Sequence, residues 1–519
     1  MKKIFQIVTL VLVIGSMAAC NKSFDSLEAD PNRATSVPAN LILNNVLLNF
    51  TNGGFNTKQR ANQYYLCNYD YYGNNEYNWT GYSFGNYNTL KNIAQMEAEA
   101  TKSVASPNPY TAIGKFLKAY FLYDLTMNLG DIPVSDALKG LTNVTPKYDT
   151  QKQVFQQILT YLEQANTEMG TLKTTNYVLA SDFYYGNDLS KWQKAVNAFK
   201  LRVLIQLSNK EADADLAIKT KFAETVSNPA KYPVFASDAD NLTFVYNNQF
   251  NKYSTNPDNF GFDATRYNMS STYLGNLSSL KDPRTFFVAE PAAFLVASGK
   301  LPNSYDAFAG AGAGEDLATM SKNAGDGKYS FINRKRYYQT YTAESTTQVG
   351  YQELCFNMAE AAHRGWITGQ SAETWYQNGI KASQAFYGVK EGANTVTFQK
   401  PSGTLAESVT YAVDYKYADY YAQATVKYAG SGTTGLNQIL LQKYLSLYQN
   451  SGAEGYYNWR RTGVPTFHIG PGTGNSQRVA LRYQYPSTER AVNKANVEAA
   501  IASQYGGADD INAKMWIIK

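Results

Sequence analysis

The sequence predicts a mostly α-helical protein, a helical scaffold interrupted by long irregular insertions with a few short strands. Three observations support this. Apolar residues recur every three to four positions through six segments, glycine or Gly-Pro stops end several of them, and the stretches between are rich in Tyr, Asn and Gly without a regular period. No Pro/Gly/Ser-rich linker or charge run divides the 519 residues, so residues 36–519 are expected to form one domain.

The chain opens with Lys2 and Lys3, an apolar run from Ile4 to Ile14, and small residues up to Ala18-Ala19 before Cys20. Residues 1–19 read as a signal peptide, too short to span a bilayer. The ending MAAC resembles a bacterial lipobox, with Met17 where leucine is commonest, so Cys20 is the expected lipidation site and residues 20–35 a lipidated tether. The alternative is an ordinary secreted protein cleaved nearby. Cys67 and Cys355 lack metal spacing, and either one disulfide or two buried free thiols would suit an exported chain.

From Val37 to Phe50 a helix is expected, with Leu41, Leu43, Val46 and Leu47 roughly on one face. Between Gln63 and Asn88 the chain reads QYYLCNYDYYGNNEYNWTGYSFGNYN, a long loop with neither helical nor strand period. Tyr110 to Leu129 is amphipathic through Ile113, Phe116, Leu117 and Tyr120, and Gly130 stops it before a turn through Asp131 and Pro133. Further helices are expected through Val154 and Met169, Trp192 and Leu207, Leu354 and Gly365, Tyr376 and Tyr387, and Leu436 and Leu447. Small contact residues and turns such as Thr368-Gly369-Gln370 make these tetratricopeptide-like hairpins, although their starts keep no 34-residue period.

The largest insertion runs from about Pro229 to Tyr351. It holds a short strand at Leu242–Tyr246 and an Asp282–Arg284 pair expected to serve structure. Gly310 to Gly314 reads GAGAG but has no preceding strand and no G-K-[ST], so a flexible loop is expected there, not a phosphate loop. Tyr411 to Tyr428 reads as an exposed hairpin or loop rim. Near the C-terminus, Gly463 and Pro465 end a helix at Trp459, Arg460 and Arg461. These arginines, with Arg482, Glu489 and Arg490, are expected to form one knot of paired charges that braces a loop.

Composition narrows the function. The net charge is +5, and Lys2 and Lys3 account for two of those charges, leaving +3 once the leader is removed, which gives no support for nucleic-acid binding. Tyrosine is the outlier at 42 residues; rings that stack on C–H faces and carry hydroxyl tips suit sugars, and equally suit a wet protein interface. His363 and His468 are the only histidines, neither has a second ligand at metal spacing, and no nucleophile elbow, redox or nucleotide fingerprint is present. No catalytic residue, metal site or cofactor is therefore assigned. Asp70, Glu76, Asp258 and Asp263 lie in aromatic-rich loops, so a glycosidase carboxylate pair stays open as an alternative.

The motifs W-R-R-T-G-x-P at Trp459, R-Y-x-Y-P-x-x-E at Arg482 and K-x-W at Lys514 resemble the SusD/RagB family of outer-membrane nutrient-binding lipoproteins, in its SusD-like branch. That resemblance implies a non-catalytic cell-surface protein, lipid-anchored in the outer membrane, which binds a glycan and delivers it to a SusC-like TonB-dependent transporter. A surface glycoside hydrolase and a peptide-binding or purely structural adaptor are the other classes. In the family an early aromatic loop forms part of the glycan site, and the loop after Gln63 looks like its counterpart. Tyr71, Tyr72, Asn75, Tyr77, Trp79 and Tyr82 are accordingly the expected ligand-binding residues, with Tyr305 from the large insertion, flanked by Tyr337, Tyr338 and Tyr341, as a further contact.

Overall fold

Helix starts in this chain are set by polar side chains that satisfy the free N–H groups of a first turn. The computed structural model describes residues 36–401 and 403–519. Its first five long helices are α1 (Ala39–Phe50), α2 (Asn86–Thr101), α3 (Pro109–Leu129), α4 (Gln151–Leu172) and α5 (Leu189–Gln206). Asn108 caps α3 by accepting from the Tyr110 and Thr111 N–H groups at 3.1 Å, with Pro109 at the first helical position. Thr150 and Gln153 form a capping box on α4, Asp188 caps α5, and Gly130 at φ +92° stops α3. The expected signal peptide, Cys20 and the tether lie outside the described residues.

Each of these helices packs on the next, giving the layered helical hairpins that the sequence predicts. Between α2 and α4, helix α3 is buried on nearly every side, which accounts for its almost continuous apolar run. Helix α6 (Ile218–Ser227) follows α5. After the large insertion, α7 (Tyr351–His363) returns onto α5 and pairs with α8 (Ala372–Phe386), α9 (Thr433–Ser446) lies against both, and α10 (Glu454–Thr462) and α11 (Lys494–Tyr505) complete the set. Helices α2, α6 and α11 were not evident from periodicity. α2 has only Leu90, Ile93 and Met96 as a thin stripe among polar residues, α6 follows Ala217 at φ +46° with no capping side chain, and α11 is Ala-rich.

The strands are short. β1 (Tyr65–Cys67) pairs antiparallel with β3 (Tyr267–Met269), β2 (Leu242–Phe244) with β4 (Thr346–Val349), and β5 (Gly392–Gln399) with β6 (Ser408–Tyr415) in a hairpin. Tyr411 to Tyr428 is therefore one strand of that hairpin followed by a short helix at Tyr417–Ala422, and Tyr415 and Tyr420 are buried. A connected apolar core runs from Leu43 in α1 to Ile517 near the end of the chain.

Much of the tyrosine is inside. The hydroxyls of Tyr64, Tyr376, Tyr387, Tyr444 and Tyr456 donate to the backbone carbonyls of Tyr444 (2.7 Å), Val426 (2.8 Å), Tyr448 (2.7 Å), Asn62 (2.8 Å) and Ala480 (2.5 Å). Irregular backbone leaves carbonyls without ladder partners, and a buried one must be paired. A tyrosine fills the apolar space and caps the carbonyl with one side chain. Cys67 and Cys355 are both buried free thiols.

Two expectations need correction. The GAGAG run is packed, not flexible: Ala311 and Ala313 are buried, and a Cβ on Gly310 or Gly314 would lie 2.4 Å from the Ser270 backbone or 2.1 Å from that of Ile469. Glycine is needed there for close backbone approach. Nor do the C-terminal arginines form one knot. Arg461 forks onto Glu360 of α7 at 2.5 and 2.8 Å, while Arg482 and Arg490 share Asp509, and Glu489 accepts from Tyr148 at 2.8 Å. Arg460 lies over the Tyr456 and Tyr457 rings and donates to the Leu481 carbonyl at 2.8 Å. Sequence neighbours on a helix point to different faces, so each finds its own partner. The Asp282–Arg284 pair is structural, fully buried and joined by Gln442, Ser383 and Tyr420.

Candidate functional site

The loop after β1 is held at several points. Asn68 donates to the Thr265 carbonyl at 2.9 Å, a 3-10 turn covers Asp70–Tyr72, and Gly73 at φ +151° passes the Arg60 guanidinium where a Cβ would be only 2.6 Å away. Asn75 acts as a surrogate strand partner, its Nδ2 donating to the Cys67 carbonyl (2.7 Å) and its Oδ1 accepting from the Cys67 N–H (2.9 Å). Tyr77 is 2 % exposed, its hydroxyl donates to the Ala61 carbonyl at 2.9 Å, and burial pushes that phenol far up. Its N–H donates to the Thr473 carbonyl, and Tyr82 N–H to that of Gln484.

From Asn74 to Thr80 the chain alternates. Asn74, Glu76, Asn78 and Thr80 are exposed, while Asn75, Tyr77 and Trp79 turn inward. Half-buried Trp79 stacks on Tyr483 at 4.2 Å with the planes 9° apart, and meets the edge of Tyr456 at 5.1 Å. Tyr82 is half-buried and donates to Asp124 at 2.5 Å; burial and that carboxylate raise its phenol well above its ordinary value. Burial pushes Asp124 the other way from its surroundings, but Lys58 at 2.8 Å and the bonds from Tyr82 and Asn86 hold it below the usual carboxylate range.

This arrangement encloses an open cleft of about 260 Å³ whose walls include Arg60, Glu76, Asn78, Trp79 and Tyr483. Arg60 is braced by the Asn74 carbonyl (3.3 Å) and the Tyr65 hydroxyl (3.2 Å), and Asn78 donates to Glu76 at 2.7 Å. An indole beside a guanidinium, an amide and one carboxylate can stack on a ring and hydrogen-bond hydroxyls. Among the described residues lining the cleft Glu76 is the only carboxylate, whereas glycoside hydrolysis uses two.

Tyr71 and Tyr72 stand outside this cleft. Tyr71 is 83 % exposed and meets half-buried Tyr72 edge-on at 5.2 Å; with Tyr69, under the Arg266 guanidinium, they form a small aromatic terrace. Tyr305 packs on Phe286 at 4.6 Å and is not among the cleft residues, and Tyr337 and Tyr338 are fully buried. Sequence reasoning passed over Arg60, Asn78 and Tyr483 as site residues. The alternation of Asn74 to Thr80 was a usable signal for an extended segment, but nothing in sequence brings Tyr483 under Trp79.

Among curated proteins, none matches the chain. A family model described as "Starch-binding associating with outer membrane" matches residues 31–486. A SusD homolog from Bacteroides fragilis is 29 % identical with a TM-score of 0.81, covering 93 % of this chain and 100 % of its own. A second from the same organism is also 29 % identical, with the same coverage and a TM-score of 0.77. A chitin-binding SusD homolog from Flavobacterium johnsoniae shares the fold, at 19 % identity and a TM-score of 0.68 over 93 % of this chain and 98 % of its own. The helical layers, the insertions and a family match over most of the length lead to one conclusion: the chain belongs to the SusD-like family.

Proposed function

We propose that this protein is a non-catalytic receptor, anchored to the outer membrane through lipidated Cys20, that binds an oligosaccharide and delivers it to a SusC-like TonB-dependent transporter. The observation that carries the reading is the cleft in which Trp79, seated on Tyr483, stands beside Arg60, Asn78 and Glu76. The family description as starch-binding and the chitin-binding relative support a glycan as cargo. In this reading Trp79 is the stacking platform and Tyr71 and Tyr72 form a second, more exposed contact. Asn75, Tyr77 and Tyr82 hold the loop in place, and Tyr305 makes no contact. Weak contacts of this kind add along an oligomer.

Calorimetry with maltooligosaccharides and chitooligosaccharides, comparing the intact protein with Trp79→Ala, tests it. Removing one buried ring face costs about 2 kcal/mol, or roughly 30-fold in affinity. Unchanged binding in Trp79→Ala would remove the cleft from the site, and new reducing ends would overturn the passive role.

A further inference from the structure

A second cavity lies away from the Trp79 cleft, between the β5–β6 hairpin and the short helix Ala293–Ala297, with a volume of about 360 Å³. That is the size of a small-ligand pocket. Its walls are mostly apolar: Val296 and Ala297 on the helix side, Phe398, Val409 and Tyr411 on the hairpin side, and Phe331 between. Phe398 and Val409 are direct cross-strand partners, so the hairpin register fixes that wall.

The polar groups are few and unequal. Glu290 and Arg334 are more than nine-tenths buried and satisfy each other, with the guanidinium donating at 2.9 and 2.7 Å and the Arg334 N–H at 2.9 Å. Their charges cancel within the wall. Lys400, at the rim, is exposed, and among the described residues its ammonium has no carboxylate within ion-pair distance. The carboxylate of nearby Glu407 is bonded to Thr404 and feels the Lys400 charge only beyond ion-pair distance. An apolar chamber with one cation at its mouth favours a molecule with an apolar body and an anionic end.

We infer that this cavity is a second binding site, independent of the glycan cleft, for an amphipathic carboxylate with an aromatic or branched aliphatic body. The body sits against Phe331, Phe398 and Tyr411, and the carboxylate faces Lys400. Titration calorimetry with 3-phenylpropionate, and with neutral 3-phenylpropanol as its control, tests this on the intact protein. The acid should bind saturably with a Kd on the order of 1 mM. Lys400→Gln should weaken the acid by about fivefold and leave the alcohol unchanged. Ala297→Trp, placed on an exposed lining residue so that folding is spared, should abolish binding of both at an unchanged melting temperature; Ala293→Phe serves if it does not fold. Absence of saturable binding to the intact protein, or binding that survives in the filling variant that folds, overturns the site. An alcohol that binds as tightly as the acid overturns the anionic part.

Discussion

The Glu360–Arg461 fork joins α7 to α10, and α10 also carries Tyr456, the ring against the edge of Trp79. Both side chains are buried. Burial by itself pushes the Glu360 carboxyl up, but Arg461, and then Arg364, overcome that and hold it at about 2 against an ordinary 4.5. A carboxyl lowered by folding stabilises the protein fully above its unfolded pKa, and this contribution is lost as pH falls through the folded value. The difference corresponds to about 3 kcal/mol, most of it gone by about pH 2.5. Against a total stability of about 5–15 kcal/mol that is a large share. In Glu360→Gln, Arg461 is left buried without its counter-charge, and the variant should lose about 3–5 kcal/mol at pH 7. It should also lack this part of the acid sensitivity. Urea unfolding followed by Trp fluorescence at pH 7 and pH 2.5 gives both quantities. The gap between intact protein and variant should narrow by about 2.5 kcal/mol in acid. An equal gap at both pH values would mean the carboxylate is not held down by Arg461, and the reasoning would fail.

Asn75→Ala removes both bonds to Cys67 and should cost about 2 kcal/mol while speeding amide exchange from Asn74 to Trp79. Exchange unchanged in that segment would show that Asn75 does not hold the loop. Gly314→Ala places a Cβ 2.1 Å from the Ile469 carbonyl carbon and should lower stability by about 3 kcal/mol or more, whereas Gly312→Ala, with its nearest atom at 4.0 Å, should be near neutral. Equal melting temperatures for the two variants would count against the close packing of the GAGAG run. Burial pushes the Cys67 thiol up to about 11 and that of Cys355 up to about 12. Neither should react with a thiol reagent at pH 8 until the chain is unfolded, when both should; labelling of the folded protein would contradict this.

The helices around Phe116, Ile158, Phe199 and Met358 were legible because a buried helix face repeats its apolar residues at the helical period, whatever it packs against. The ends were legible too: Gly130 and Gly463 adopt positive φ at the last turn of α3 and α10. Helix α2 was not, since tertiary contacts with α1 and α3 support a stripe too thin to announce itself. Tyrosine content pointed outward to a ligand, yet Tyr64, Tyr387 and Tyr444 use their hydroxyls to cap internal carbonyls. Ring and hydroxyl serve a core and a sugar equally well, so composition cannot separate the two uses.

What the sequence determined by itself was local: the helical periods, the stops, the motifs that resemble those of the SusD-like family and the early loop rich in aromatic side chains. Only the tertiary structure decided that Tyr77 goes inside while Tyr71 stays in solvent, that Tyr483 lies beneath Trp79, and that Arg461 crosses to Glu360. The reason is that period and turn chemistry act over a few residues. A contact between positions some hundreds apart depends on how the whole chain closes around its core, which no local pattern records.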